Sequence, residues 1–174
     1  MTAVPRNQAP DRDRRALLRG RLRRTPLARP PWALDESRFA SACTACNACV
    51  EACPQRVLVA GEGGLPEFEP GRGECTFCGD CARACGEHVF APLDEAPWSL
   101  RAQVGEACLA SRGIVCSSCR DACGESAIAF PPTRAVPMPR IESDRCTGCG
   151  ACVPACPATA ISLAALTAEV PLEA

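Results

Sequence analysis

Sixteen cysteines fall into four sets along this 174-residue chain, and no other feature restricts its folding as much. Cys43, Cys46, Cys49 and Cys53 follow the spacing C-x2-C-x2-C-x3-C, and Cys75, Cys78, Cys81 and Cys85 repeat it. Cys146, Cys149, Cys152 and Cys156 repeat it again. A stretched copy lies between them, Cys108, Cys116, Cys119 and Cys123, with five extra residues between its first and second members. No cysteine is left over. Self-similarity of this kind marks a chain built from copies of one small unit.

The rest of the composition gives such a unit little to fold with. Leu, Ile, Val and Phe make up only about 18% of the residues, less than an ordinary globular core draws on. A chain so poor in aliphatic bulk needs covalent or coordinate support. Other classes drop out. No run of 18 apolar residues exists to span a membrane. A net charge of −1 with 4% aromatics argues against a nucleic-acid platform. One histidine, no tyrosine and no lysine leave little for acid–base or Schiff-base chemistry, so the chain reads as no enzyme.

Disulfides would require an oxidising compartment, and thiols two residues apart, over and over, are poor mutual partners. Arg14-Arg15 resembles the start of a twin-arginine export signal, but Arg19, Arg21, Arg23 and Arg24 interrupt the apolar stretch such a signal needs. The sequence therefore predicts a cytoplasmic, reduced chain. Residues 1–29 hold nine Arg against two Asp, and the remainder is acidic. That first segment is either a solvated basic arm or a docking arm in which Arg14 and Arg15 meet a partner.

Three thiolates at intervals of three residues, in a loop of small residues, suit three corners of an iron–sulfur cube. The fourth cysteine follows on a short helical turn and ligates the cluster of a neighbouring set. Pro54 and Pro157 match the Pro that ends the bacterial two-cluster run, while Gly86 and Gly124 replace it in the other sets. Zinc competes for CxxC pairs, yet a tetrahedral site leaves the regular third thiolate unexplained. Three [4Fe-4S] clusters are expected on the regular sets. The third set is left open: Cys108 is either the ligand that completes a fourth site for Cys116, Cys119 and Cys123, or a buried core thiol. Leu100, Val104 and Cys108 have helical spacing after Pro97, which predicts a helix over 97–108.

Short apolar pieces follow each fourth cysteine, and extended segments precede the second and last sets (65–70 and 136–142). Each repeat thus reads as strand, cluster loop, short helix, strand. The fold class is α+β: two tandem two-cluster ferredoxin-like units with small antiparallel sheets and short helices. The divisions are an arm at 1–32, units at 33–95 and 96–165, and a tail at 166–174, with a weak helix expected after residue 164. Sequential pairing groups Cys43, Cys46, Cys49 with Cys85, and Cys75, Cys78, Cys81 with Cys53. It also groups Cys146, Cys149, Cys152 with Cys123, and Cys108, Cys116, Cys119 with Cys156. A nested pairing, first set with last, is the rival. The clusters stand in for a core, so iron binding becomes folding energy. His88, Trp32 and Trp98 are expected in surface or packing roles, and Gly148 and Gly150 where the loop backbone approaches a cluster.

The linkers carry a resemblance. Pro30-Pro31-Trp32 and Asp35-Glu36-Ser37-Arg38-Phe39 lead into the first set, followed by Glu74-Cys75-Thr76-Phe77-Cys78 and Ala107-Cys108-Leu109-Ala110. Together with Cys116-x-x-Cys119-Arg120-Asp121 and the last set, these resemble the NapF-type ferredoxins, accessory proteins of periplasmic nitrate reductase. The resemblance implies a cytoplasmic iron–sulfur protein that contacts the catalytic molybdenum subunit as its cytoplasmic precursor. The implied role is maturation of that subunit, by cluster insertion or reduction, before export. The alternative is a general soluble polyferredoxin that carries electrons.

Overall fold

The computed structural model describes residues 28–166. Arg14 and Arg15, most of the basic arm and the residues after 166 lie outside them. Among the described residues, five α-helices and six strands follow in order, with three short 3-10 turns between them. Helices α1 (Glu36–Ala42) and α2 (Ala48–Glu51) precede strands β1 (Leu58–Ala60) and β2 (Pro66–Phe68). Helix α3 (Asp80–Arg83) and strand β3 (Leu100–Val104) come next, then α4 (Ser118–Asp121) and β4 (Ile128–Ala129). The described chain closes with β5 (Arg140–Ile141), α5 (Cys152–Ala155) and β6 (Ile161–Ala165).

The pairing nests twice. In the second half β3 pairs antiparallel with β6, from Leu100↔Ala165 to Val104↔Ile161, around the antiparallel pair β4–β5. In the first half the antiparallel pair β1–β2 lies inside an outer contact of one bridge, Ala33↔Phe90. The outer position that is a five-residue ladder in one half is thus a single residue pair in the other.

Two expectations are corrected here. Residues 100–104 are strand, not helix: Leu100, Ala102 and Val104 alternate inward with Arg101 and Gln103, and β6 supplies a partner for the ladder. A spacing of four residues is also two strand periods, so it does not separate the two states. Ala164 and Ala165 likewise extend β6 instead of starting a helix. The first set, conversely, is entered by helix α1. Asp35 caps it, its carboxylate accepting from the Arg38 N–H at 3.1 Å and the Ser37 hydroxyl at 2.5 Å. Phe39 on its inner face is fully buried, edge-on to Phe90 at 5.8 Å. Arg29 lies over the Phe39 ring at 5.5 Å and binds Glu36 through two nitrogens at 2.7 Å each.

The aliphatic core is as thin as the composition demands. One buried group joins Val57, Leu58 and Phe68 to Cys49 and Cys81; the other joins Ala102, Ile128 and Ile161 to Cys119 and Cys152. Cysteines are members of both. Leu163 packs against both groups and ties the halves together. Among the described residues no helix is long and apolar enough to cross a membrane.

Candidate metal centres

The third cysteine of every set sits on a one-turn helix and is buried: Cys49 on α2, Cys81 on α3, Cys119 on α4 and Cys152 on α5. Helix α2 packs against α3, and α4 against α5. The fourth cysteine follows one or two residues after each helix and lies beside cysteines of the neighbouring set.

Three clefts show the result. Cys53 joins Cys75, Cys78 and Cys81 around about 340 Å³ of free space partly open to solvent. Cys123 joins Cys146, Cys149 and Cys152 around about 330 Å³. Cys156 joins Cys108, Cys116 and Cys119 around about 350 Å³. For the remaining quartet, Cys43 and Cys85 lie near enough to Cys49 to act on it electrostatically, with Cys46 in the same loop. The structure therefore brings the cysteines together in the sequential grouping, not the nested one, and it places Cys108 in a cleft with three other thiols. None of the sixteen forms a disulfide.

The loops have the shape that winding round a cube requires. In three sets the residue before the second cysteine and the residue after it both have positive φ: Ala45 (55°) and Asn47 (64°), Phe77 (52°) and Gly79 (78°), Gly148 (75°) and Gly150 (92°). Ala45 and Phe77 adopt this left-handed backbone at about 1 kcal/mol or more each. The stretched set lacks the pattern, since Ser117 has φ −133°. A second recurrence comes three residues after Cys53, Cys123 and Cys156, where Arg56, Ser126 and Thr159 are left-handed. The following N–H then turns back on the sulfur, Ala127 to Cys123 Sγ and Ala160 to Cys156 Sγ, each at 3.3 Å. Phe77 N–H reaches Cys75 Sγ at 3.4 Å, and Ala102 N–H reaches Cys146 Sγ at 3.5 Å. Such donors stabilise charge on ligated sulfur and tune a cluster's potential.

Burial pushes the Cys81 and Cys152 thiols up to about 12 and those of Cys49 and Cys75 to about 11, with Cys119 raised as well. A buried thiolate needs a metal to hold its charge, so the donor set fits a group that displaces the protons. Among the described residues no three His, Cys, Asp or Glu side chains gather around one point as a single ion would require. Four thiols spread over a cleft instead suit the four corners of a cube. The buried Oδ1 of Asn47, in the loop of the first set, has no hydrogen-bond partner in the structure.

His88 is exposed and joins no quartet. Trp32 and Trp98 are packing residues that each donate to a carbonyl, of Glu95 and Thr147 respectively, at 2.9 Å. Gly148 and Gly150 do more than admit a cluster. An added carbon at Gly148 would run into the Leu100 carbonyl, and one at Gly150 would lie 3.1 Å from Phe68 and Pro70. Sequence reasoning missed that packing role, which depends on a distant segment and leaves no local signal.

Two segments, 42–90 and 113–160, match the 4Fe-4S dicluster domain. The chain is 42% identical over 154 residues to the ferredoxin-type protein NapF of Escherichia coli strain K12, covering 87% of this chain and 94% of that protein. It belongs to the NapF family of ferredoxin-type proteins. The family member from Haemophilus influenzae is 44% identical over 136 residues, covering 78% of this chain and 77% of its own. The methylamine utilization ferredoxin-type protein MauM of Methylophilus methylotrophus is 34% identical over 170 residues, covering 86% and 75%. No solved structure matches. Like its NapF relatives, the chain is thus a ferredoxin-type electron-transfer protein, two tandem dicluster domains carrying several [4Fe-4S] clusters.

Proposed function

We propose that the four quartets are the cluster ligands. Cys43, Cys46, Cys49 and Cys85 form one site, and Cys53, Cys75, Cys78 and Cys81 the next. Cys123, Cys146, Cys149 and Cys152 form a third, and Cys108, Cys116, Cys119 and Cys156 a fourth, with the two units at about 33–95 and 96–165. The observation that carries this is the convergence of a fourth cysteine from the neighbouring set on each cleft. When bound, the clusters supply one-electron storage and transfer; the chain supplies thiolates, loop geometry and N–H donors to sulfur. Anaerobic iron and sulfide counting tests it: about 16 Fe per chain is expected, and about 12 would remove Cys108 and its quartet from the assignment.

On that footing the chain serves in the cytoplasm as an accessory protein of periplasmic nitrate reductase. It assists maturation of the catalytic molybdenum subunit before export, by reduction or insertion of that subunit's cluster. Support comes from the NapF relatives and from a donor set spent wholly on redox sites. Arg14 and Arg15 are assigned to partner contact. Catalytic subunit purified from cells lacking this chain should be deficient in cluster content and activity, and full content with normal activity would overturn the role. Capture of the precursor by the tagged chain, weakened in the variant R14A/R15A, is expected. Redox exchange without capture would favour the general electron carrier.

A further inference from the structure

The Cys146–Gly150 loop belongs to the second unit, yet residues of the first pack against it. The Cys75 N–H donates to the Cys149 carbonyl at 2.8 Å, so the cysteine loops of two different quartets meet main chain to main chain. Gly150, at φ +92°, has Phe68, Pro70 and the Gly73 carbonyl of the first unit where a side chain would stand. Trp98 closes the contact. Its Nε1 donates to the Thr147 carbonyl at 2.9 Å, while its ring lies 4.9 Å from Phe68 and 5.5 Å from Phe77. Gly148 lets the same loop press against Leu100 and Trp98. A loop held on three sides by backbone and aromatic rings has no freedom to swing away.

We propose that this loop is a bridge that joins the two units at their inner quartets, so that the four sites form one series instead of two separate pairs. The order runs from the quartet containing Cys46, through those containing Cys75 and Cys149, to the quartet containing Cys116. The proposal rests on the quartets being cluster sites, but the bridge itself is made of this chain's own residues. Trp98 acts through the loop, as a positioning residue. The series has two ends, and Cys78 of one inner quartet is exposed between them. One end holds the exposed Cys46, and the other adjoins the exposed Ile114 and Val115.

Two measurements on the anaerobically loaded full chain test this. In wild type the Cys75 amide should exchange its hydrogen as slowly as the β3–β6 ladder. W98A should speed that exchange by about tenfold or more at unchanged iron content, with W98F between the two. Fast exchange in wild type, or no response to W98A, overturns the bridge. Second, the variant C43A/C46A/C108A/C116A keeps only the inner quartets, and about 8 Fe should remain. After dithionite reduction its EPR spectrum should be broadened by interaction between two spins. Two isolated signals would overturn the series. Loss of all iron would count against the quartet assignment alone, with the exchange measurement still deciding the bridge.

Discussion

The two units share one topology and one set of donors, but they are braced differently. The second closes its outer edge with the five-residue β3–β6 ladder. The first has only the Ala33–Phe90 bridge there and relies on α1, with Phe39 buried under Arg29 and Phe90. Their cysteines differ in the same sense. Cys46 and Cys78 of the first unit are exposed, whereas no cysteine of the second is. Backbone N–H groups lie 3.5 Å or less from the sulfur of Cys75 in the first unit and from those of Cys123, Cys146 and Cys156 in the second. Cysteine quartets set the common architecture, and the support around them is free to vary.

Removing iron altogether should break the comparison most completely. With cysteines inside both buried groups and little else there, the stripped chain is expected to lose cooperative melting and near-ultraviolet dichroism in both units. If one unit survives, the β3–β6 ladder predicts that it is the second, and residual amide protection would show it. A stripped chain that melts cooperatively in both halves contradicts this.

Next in size is the rate of iron loss. Chelator at neutral pH should draw off about half the iron in a fast phase from the first unit, through Cys46 and Cys78, and the rest slowly. A single phase would mean that exposure does not distinguish the units. L163A should lower stability by about 2 kcal/mol, since Leu163 packs against both buried groups. Both units should register the loss in a melting curve, and an effect on the second alone would show that the halves are energetically separate.

Smaller effects sharpen the picture. A45G should stabilise the loaded protein by about 1 kcal/mol, because glycine at φ 55° relieves the strain that Gly148 already avoids at the matching position. No gain in a denaturant titration would argue that the loop is not held in this conformation. Smallest of all is the cap of α1. Hydrogen bonds from the Ser37 hydroxyl and Arg38 N–H hold the Asp35 carboxyl below its usual range. Its contribution is therefore present above the ordinary carboxylate pKa and fades as pH falls through the lowered one. At neutral pH D35N should melt close to wild type and D35A slightly lower.

Much of this was legible in residue spacing. C-x2-C-x2-C-x3-C carries the quartets, because the interval between thiols and the turn before the fourth are local geometry. The Leu100–Val104 strand was not, since its apolar positions satisfy periods of both two and four, and only β6, some sixty residues on, decides between them. Helix α1 signalled itself through Asp35 and Ser37, but a repeat read as uniform hid it. The bridging role of Gly150 and Trp98 was out of reach, because it depends on which segment of the other unit comes near.

The exchange of fourth cysteines between neighbouring sets has a genetic corollary. A deletion that removes one motif also takes a cysteine from the quartet left standing, so neither member of a couple can be lost alone without damage to both. Chains of this kind should gain and shed their motifs two at a time, and an odd-numbered descendant would have to find a replacement donor before it could hold its iron.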